Sequence, residues 1–234
     1  LFKGGGITVF DVSAGLFSSL GNDPKQDGPL SGPNVANIYE GKGGAVWVPN
    51  LSGAVDRFDP RAHRIKSYPH DPTDPTTIGD VLINTSYEDR DGTMWFGAGN
   101  GLNRLDRSTG LFTRYQTGDA SGIPGSFVCG PLDDWEGNLW VLSGKHISLF
   151  DRAAGRCSAS FPTIVTPITV IEDSTDPSRL WICSFGNGLG SFDKKTRQTT
   201  IFAHDAADPG SISNDIMAQI VQDDAGFIWL PTWG

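Results

Sequence analysis

The fold of this chain is decided by residues 88–106, which read EDRDGTMWFGAGNGLNRLD. They contain two short runs of strand-forming residues, 94–97 and 102–105, joined by a glycine-rich turn. An acidic turn that contains Gly92 precedes the first run, and Asp-Arg-Ser-Thr-Gly follows the second. Short strands bounded by such turns are typical of antiparallel hairpins.

Variants of this unit recur along the chain, each marked by a tryptophan between two apolar residues. These tryptophans are Trp47, Trp95, Trp140, Trp181 and Trp229. They are separated by 48, 45, 41 and 48 residues, and an apolar residue followed by Asp comes ten or eleven residues after each of the first four. Four antiparallel strands repeating every ~40–50 residues are the signature of a β-propeller, whose blades are four-stranded sheets around an axis.

Each repeat is predicted to hold four strands, which we call A to D in chain order. In the second complete repeat the predicted strands are 81–87, 94–97, 102–105 and 111–115. Complete blades are predicted at about 34–68, 81–115, 127–161 and 165–202. Residues 1–20 supply strands C and D of a further blade, and residues 215–234 supply its strands A and B.

The chain is therefore predicted to be all-β: a single domain, residues 1–234, that forms a five-bladed β-propeller of four-stranded antiparallel blades. The ring is predicted to close through the split blade, with residues 7–11 pairing antiparallel with residues 227–232. Leaving the two halves apart would expose sheet edges and the apolar faces of Phe10 and Trp229. A piece cut from a larger propeller would show the same sequence pattern.

Two parts of the repeat resemble a known family. The sequence Glu-Asp-x-x-Gly-x-hydrophobic-Trp-hydrophobic, followed by Gly-x-Gly-Leu-Asn-Arg-Leu-Asp, resembles the two-component regulator propeller repeat. The connectors 70–75 and 204–213 are similar to the inter-repeat loop of that family, and the resemblance is weakest at residues 143–148. It implies an extracytoplasmic (periplasmic or secreted) sensor region of a bacterial signalling protein, often responsive to carbohydrate.

Composition narrows the classes of partner. The formal net charge of −9 argues against binding to nucleic acid or to an anionic membrane surface, since both need clustered Lys and Arg. No run of about 18 apolar residues is present. The three cysteines have no CxxC spacing, and the chain contains no Walker loop, HExxH or GxSxG motif. We therefore expect neither a cofactor nor a metal site, and the oligomeric state stays open.

Several residues that suggest chemistry are predicted to be structural because they recur. Paired acids such as Glu88-Asp89 stand at every A–B turn except the first, where they are expected to cap backbone N–H groups. His70 and His204 are each followed by Asp in equivalent connectors, which indicates an Asx-type turn and not two active sites. Cys129, on a predicted A strand, is expected to be a small buried hydrophobe and not a nucleophile.

The predicted site is based on residues that depart from the repeat pattern. Lys145 and His146 replace the glycine turn in the third copy, and Trp233 stands in the B–C region of the last. B–C and D–A loops emerge on one face of a propeller, and aromatic rings with amides suit a neutral polar ligand such as a sugar. The predicted ligand-binding residues on this face are Asn50, Asn100, Lys145, His146, Asn187 and Trp233.

Three functions remain open at this point. The first is a non-catalytic, sensor-type propeller that binds a carbohydrate or another small polar ligand. The second is a hydrolase or lyase at the channel mouth, with His146 as base and Lys145 as electrophile, since the fold permits catalysis. The third is a protein-interaction scaffold, in which the same positions are ordinary exposed loop residues. No catalytic residue is assigned, because no nucleophile–base motif is present.

Overall fold

The computed structural model describes residues 7–20, 29–163 and 165–233. The chain divides into two compact units, residues 1–114 and 115–234. Strands are the regular elements of the described residues, which include no helix long and apolar enough to cross a membrane.

The described residues form twenty strands, numbered in chain order. The N-terminal hairpin consists of β1 (Ile7–Asp11) and β2 (Leu16–Leu20). The first four-stranded sheet consists of β3 (Tyr39–Glu40), β4 (Val46–Asn50), β5 (Ala54–Asp59) and β6 (Arg64–Pro69). The second consists of β7 (Ile83–Glu88), β8 (Met94–Ala98), β9 (Gly101–Leu105) and β10 (Phe112–Gln116).

The remaining strands repeat this arrangement. The third sheet consists of β11 (Val128–Asp133), β12 (Leu139–Ser143), β13 (His146–Asp151) and β14 (Arg156–Pro162). The fourth consists of β15 (Pro167–Glu172), β16 (Arg179–Ser184), β17 (Leu189–Asp193) and β18 (Gln198–Phe202). A final two-stranded sheet pairs β19 (Val221–Gln222) with β20 (Ile228–Trp229).

These sheets confirm the all-β prediction and the four-stranded unit. Within each four-stranded sheet the strands lie side by side in chain order. In the second repeat the observed strands β7 to β10 begin and end within two residues of the predicted ones. The short apolar runs bounded by glycine turns therefore predicted the positions of these strands correctly.

Closure of a five-bladed ring is not established by these sheets. β1 pairs with β2, and β19 with β20, each in a two-stranded sheet. Phe10 is 48% exposed and Trp229 62% exposed, so the burial expected from closure is not seen. The blade count, the pairing of residues 7–11 with 227–232 and the single-domain organisation stay predictions. Residues 1–6 and 234 of the predicted split blade lie outside the described residues.

The repeated tryptophans pack between adjacent sheets. In the first unit the ring of Trp47 lies edge-on to Phe96 of the next sheet, with centroids 5.6 Å apart. In the second unit Trp140 meets Phe192 in the same way, also at 5.6 Å. Both tryptophans are 1% exposed. Truncating such a ring to Ala typically costs about 3–5 kcal/mol, so these contacts hold neighbouring sheets together.

An aspartate at the A–B turn fixes each later tryptophan. One carboxylate oxygen accepts backbone N–H groups of the turn, as Asp89 Oδ1 does from Thr93 at 2.8 Å. The other oxygen accepts the indole N–H at 2.8–2.9 Å; the pairs are Asp89–Trp95, Asp134–Trp140, Asp173–Trp181 and Asp223–Trp229. The predicted capping role is confirmed, and the bond to tryptophan adds to it.

The first repeat breaks this pairing. Gly41 stands where the others have aspartate, and Nε1 of the buried Trp47 has no hydrogen-bond partner among the described residues. A Cβ on Gly41 would lie 2.6 Å from Glu88 Oε2, so a carboxylate at this position would require the Glu88 side chain to move. Glu88 instead accepts the backbone N–H of Lys42 at 2.7 Å.

The two histidine-containing connectors are structural, as predicted. Nδ1 of His70 donates to the carbonyl of Ile78 at 2.6 Å, and Nδ1 of His204 donates to Ile212 at 2.8 Å. The following aspartates form the expected Asx turns, because the Oδ1 atom of each accepts the backbone N–H two residues later. Each imidazole thus closes its own loop.

Candidate functional site

Buried polar atoms without protein partners gather in the second sheet. On β7, Asn84 Nδ2 and Oδ1 and Ser86 Oγ are buried and make no hydrogen bond within the described chain. Asn100 Oδ1, in the turn between β8 and β9, is likewise buried and makes no hydrogen bond within the described chain. Ile83 pairs with Ala98, and Gly99 donates its N–H to the carbonyl of Leu82, so this turn adjoins the start of β7. These three side chains are the candidate site.

A β-bulge gives Asn84 its special position. Ile83 pairs with Ala98 and Thr85 with Gly97, so Asn84 is the extra residue on β7. The fourth sheet has the same irregularity, between Pro167 and Thr169. Bulges of this kind often re-aim a side chain next to a functional site.

The fourth sheet shows that polar residues are not needed for this backbone. Counted back from the last residue of strand A, Asn84 and Ser86 correspond to Ile168 and Val170. Val170 is buried and belongs to the apolar core of its own unit. The bulge is thus a property of the repeat, whereas the amide and hydroxyl at it are specific to the second sheet.

Unpaired buried groups are expensive, and a bonded water or ligand would remove this cost. Leaving a buried donor or acceptor unsatisfied typically costs about 1–3 kcal/mol. The groups gathered here are amides and one hydroxyl, all uncharged. They match donors and acceptors such as sugar hydroxyls or water.

Two predicted amides are partly used inside the protein. Asn100 Nδ2 donates to the carbonyl of Gly79 at 2.8 Å, and Asn187 Oδ1 accepts the N–H of Thr166 at 3.1 Å. Each of these bonds fastens a B–C turn to the connector that precedes its sheet. The side-chain N–H groups of Asn187 make no hydrogen bond within the described residues, and Asn100 Oδ1 is the unpaired oxygen described above.

Asn50 has a mainly structural environment. It is 0% exposed, and its Oδ1 accepts the backbone N–H groups of Ser52 at 2.9 Å and Ala54 at 3.2 Å. Its Nδ2 donates to Ser31 Oγ at 2.8 Å. A ligand would have to displace these bonds to reach it, so its predicted ligand role has the least support of the three amides.

The other predicted residues lie in the second unit. Lys145 is exposed in the turn between β12 and β13, and the partly buried His146 begins β13. Trp233 is 63% exposed and donates its backbone N–H to Ile216 at 3.1 Å. A common rim with Asn50 and Asn100 of the first unit stays a prediction.

A cleft of about 640 Å³ opens on the opposite, A–B side of the second unit. Its lining includes Trp140, Lys194 and Arg197. These cations are already engaged: Lys194 lies 3.1 Å from Asp134 and 2.7 Å from Glu172, and the Arg197 guanidinium lies over the Trp140 ring. The cations that line this cleft are therefore already used in contacts between neighbouring sheets.

Cys129 behaves as predicted. It is 4% exposed, its Sγ lies 3.0 Å from the carbonyl of Pro167, and burial raises the pKa of its thiol to about 12. A thiol with so high a pKa is almost fully protonated at neutral pH and is a poor nucleophile. Among the described residues, no group of three or more His, Cys, Asp or Glu is arranged to hold a metal ion.

Asn84 and Ser86 were missed by reasoning from the sequence. Breaks of the repeat are easiest to recognise in turns, where side chains reach solvent, whereas these two residues lie on strand β7. A comparison of A strands in register would have revealed them, because both replace residues that are apolar in the fourth repeat. Their lack of partners requires the tertiary structure.

Comparison with known proteins defines the fold. No protein-family model and no curated protein sequence matches the chain. Solved structures do. The extracellular domain of BT3049 from B. thetaiotaomicron, described as a hybrid two component system, has a TM-score of 0.78 and 22% identity over 99% of this chain and 30% of its own. The extracellular domain of BT4673, described as a one component system, has a TM-score of 0.76 and 21% identity over 97% of this chain and 29% of its own.

The chain has the fold of these extracellular domains. PorZ, a bacterial surface component of the type-IX secretion system of Porphyromonas gingivalis, shares it at a TM-score of 0.70 and 14% identity, over 98% of this chain and 35% of its own. The chain thus spans about a third of the length of these structures. Their descriptions agree with the two-component resemblance of the repeat and with the extracytoplasmic location that it implies.

Proposed function

We propose that this chain is a non-catalytic, sensor-type ligand-binding propeller that acts outside the cytoplasm and binds a carbohydrate or another neutral polar ligand. The observation that carries the proposal is the set of four buried, unpaired polar atoms on Asn84, Ser86 and Asn100. Ligand hydroxyls would satisfy these atoms, and the gain of otherwise missing hydrogen bonds provides the affinity.

The sensor role is supported by the solved structures. BT3049 and BT4673 are described as two component and one component systems, and the matching regions are extracellular domains. In such an arrangement the extracellular part binds a signal molecule and the binding energy biases a two-state element elsewhere in the protein. Asn187, Lys145, His146 and Trp233 remain proposed ligand contacts in the second unit, and Asn50 a weaker one in the first.

The five-bladed closure belongs to the same proposal. Its support is complementarity: β1 and β2 occupy the C and D positions of a repeat, and β19 and β20 occupy the A and B positions. The exposed Phe10 and Trp229 are apolar groups that closure would cover. The alternative, in which these strands are parts of blades in a larger ring, leaves the ligand proposal unchanged.

The test uses variants suggested by the chain itself. Thermal shift against a library of sugars and oligosaccharides identifies a stabilising ligand, and calorimetry gives its Kd. Asn84→Ile and Ser86→Val introduce the residues of the fourth repeat and should abolish binding. Thr199→Val is the matched control, since it removes another buried, unpaired hydroxyl from a different sheet and should leave Kd unchanged.

Two results would overturn the proposal. If Asn84→Ile and Ser86→Val bind the ligand as tightly as the native chain does, the unpaired atoms are not the site. If ester, lactone or glycoside substrates are turned over and His146→Asn abolishes turnover, the hydrolase or lyase replaces the sensor. Loss of binding in the Thr199→Val control would show that the changes act through stability and not through contact.

A further inference from the structure

The B–C turn of the third sheet is one residue shorter than the equivalent turn of the fourth. Two residues separate Ser143 from its partner His146, whereas three separate Ser184 from Gly188. In the fourth sheet the Ser184 hydroxyl accepts the N–H of Asn187 at 3.2 Å and donates to the carbonyl of Gly188. The shorter turn lacks these partners, and Ser143 Oγ is buried without a hydrogen bond within the described chain.

A hydroxyl, an imidazole and an ammonium group come together at this end of the third sheet. Directly opposed residues of an antiparallel pair place their side chains on the same face, about 5 Å apart, so Ser143 and His146 are neighbours. Lys145 is exposed in the turn between them. Among the described residues, neither the His146 ring nor the Lys145 ammonium has a hydrogen-bond or ion-pair partner. Three potential donors are thus left without an acceptor.

The charge of the surrounding segments favours an anion as the missing acceptor. The chain has a formal net charge of −9, yet residues 121–132, 139–150 and 157–171 contain no Asp or Glu. These segments supply the strands of the third sheet and the connectors on either side of it. A lysine in such surroundings is a point charge that attracts an anionic group.

An aromatic residue is inserted beside these donors. In the fourth sheet the turn residue Phe185 donates its N–H to Thr166, which directly precedes β15. In the third sheet Gly144 donates to Ser126, and Phe127 is an additional residue before β11 begins. Phe127 is 50% exposed and has a φ of 62°. A bulky residue in this left-handed region is strained, and such strain is concentrated at functional sites.

We propose that residues 126–128 and 143–146 bind a sugar that carries a carboxylate, such as a uronic acid. The carboxylate accepts hydrogen bonds from the Ser143 hydroxyl, the His146 ring and the Lys145 ammonium. The exposed ring of Phe127 packs against the apolar face of the sugar. This inference rests on the proposed function, since it takes the ligand to be a carbohydrate, and it adds a negatively charged group that is recognised in the second unit.

Matched sugars test the role of the charge. Glucuronate and galacturonate differ from glucose and galactose only in having a carboxylate at the last carbon. Titrated into the ¹⁵N-labelled protein, the uronates should give saturable shifts of the amide signals of residues 126–128 and 143–147, and the hexoses should bind there at least tenfold more weakly. Absence of saturable uronate shifts at these residues overturns the proposal, as does equal affinity for the acidic and the neutral sugar.

Acetate tests the role of the ring, because it has the carboxylate without the sugar. It should also bind at least tenfold more weakly than the uronates. Phe127→Gly should weaken uronate binding without lowering Tm, since glycine relieves the positive φ. An acetate affinity equal to that of the uronates, or native affinity in Phe127→Gly, would show that no sugar ring is recognised here.

A pair of lysine variants tests the location. Lys145→Gln should weaken uronate binding at least fivefold. Lys195→Gln removes the same charge from an exposed turn of the fourth sheet and should leave Kd unchanged. Equal effects of the two variants would mean that the uronates are attracted by overall charge, which overturns the site.

Failure of this inference differs from failure of the proposed function. If neutral sugars bind and depend on Asn84 and Ser86 while uronates leave the third sheet unshifted, only this inference fails. If uronates shift the third sheet while Asn84→Ile and Ser86→Val leave all sugar binding unchanged, the site on β7 fails and this one stands.

Discussion

At the scale of single residues, the C–D turns show how the backbone tolerates a missing glycine. The turn begins at aspartate, and the fourth residue after it has a positive φ: Gly15, Gly110 and Gly155 in three copies. His63 and Arg197 take the same conformation, with φ of 52° and 63°. A non-glycine residue in this left-handed region costs about 1–2 kcal/mol, so the turn imposes its geometry against local preference.

We predict that His63→Gly raises the free energy of unfolding by about 0.5–1 kcal/mol, since relief of strain exceeds the entropy that glycine loses on folding. Arg197→Gly should raise the free energy of unfolding by less than this, or not at all. The Arg197 guanidinium lies 5.7 Å from the Trp140 ring and 5.0 Å from Phe161, and glycine loses both contacts. Urea unfolding of both variants measures the difference. Equal gains would contradict a stabilising role for the Arg197 side chain.

At the scale of strands and sheets, the last residue of strand A links neighbouring sheets within each unit. Glu172 Oε2 accepts the N–H of Trp135, and Gln222 Oε1 accepts the N–H of Ser174, both at 2.7 Å. In the first unit Glu88 does the same for Lys42. This position therefore caps a turn of the neighbouring sheet, which reading one repeat at a time could not reveal.

Lys194 strengthens such a link in the second unit. It is 6% exposed and lies between Asp134 and Glu172. Burial by itself lowers the pKa of this amine, but hydrogen bonds to Glu172 and Asp134 outweigh burial, and the pKa is raised. The ammonium form is thus favoured in the folded chain.

Lys194→Met should lower the free energy of unfolding by about 3–5 kcal/mol at pH 7, because two buried carboxylates lose their counter-ion. Lys195→Met is the matched control. Lys195 is exposed in the same turn, and its replacement should change stability by less than about 0.5 kcal/mol. Denaturant unfolding of both variants provides the measurement. Similar effects in the two variants would show that the buried cation is not the stabilising group.

The pH dependence has a defined sign. Burial by itself raises the pKa of Asp134, but hydrogen bonds from Asn138, Trp140 and Lys194 hold it below its ordinary value of 3.8. The pKa of Asp223 is also lowered, first by the bond from Trp229. A carboxyl with a lowered folded pKa stabilises the fold above its unfolded pKa and loses this contribution as pH falls through the folded value.

We therefore expect the free energy of unfolding to be nearly constant from pH 7 to about pH 5 and to fall below about pH 4. Urea titrations at each pH test this. In Lys194→Met the fall should be smaller, because Asp134 without its cation binds a proton more readily in the folded state. Full native stability at pH 2 would mean that these turn carboxylates do not support the fold.

At the scale of the whole molecule, register relates the N-terminal hairpin to the connector of residues 204–212. The equivalent connector of the first unit, residues 70–78, accepts hydrogen bonds from Arg114 on β10. Asp11 pairs with Leu16 in the hairpin, as Asp106 bonds to Leu111 in the second repeat. Counted from these pairs, Ser19 occupies the position of Arg114. If the hairpin completes the blade begun by β19 and β20, an arginine at position 19 would reach the connector of residues 204–212.

Closure thus predicts that Ser19→Arg raises Tm by about 2–4 °C, the shift that 1 kcal/mol gives in a chain of this length. The gain should disappear when Ser211→Ala is added, because Ser211 Oγ donates to the carbonyls of Asp205 and Asp208 and orders this connector. Ser19→Gln should give no gain. Differential scanning calorimetry at two protein concentrations separates closure within one chain from pairing between chains. An unchanged Tm would argue against a five-bladed ring and favour the larger ring as the setting of these strands.

The local features of this protein could be predicted from the order of its residues. The spacing of tryptophans, the aspartates of the turns and the matched histidine connectors depend on residues close in the chain, so their hydrogen bonds follow from short-range geometry. For the candidate site, the order of residues indicated Asn100 but not Asn84 or Ser86. Whether a buried polar atom has a partner depends on groups that only folding brings near.

The contacts that join neighbouring sheets could be seen only in the folded chain. Glu172 and Trp135 are 37 residues apart in the chain yet share a hydrogen bond. Whether a polar side chain of a given type caps a turn or is left unpaired depends on the residues that pack against it. The two connectors make the point most simply. Their sequences predict the same loop, and only the packed structure shows that Arg114 on β10, 37 residues from Thr77, donates a hydrogen bond to the first of them.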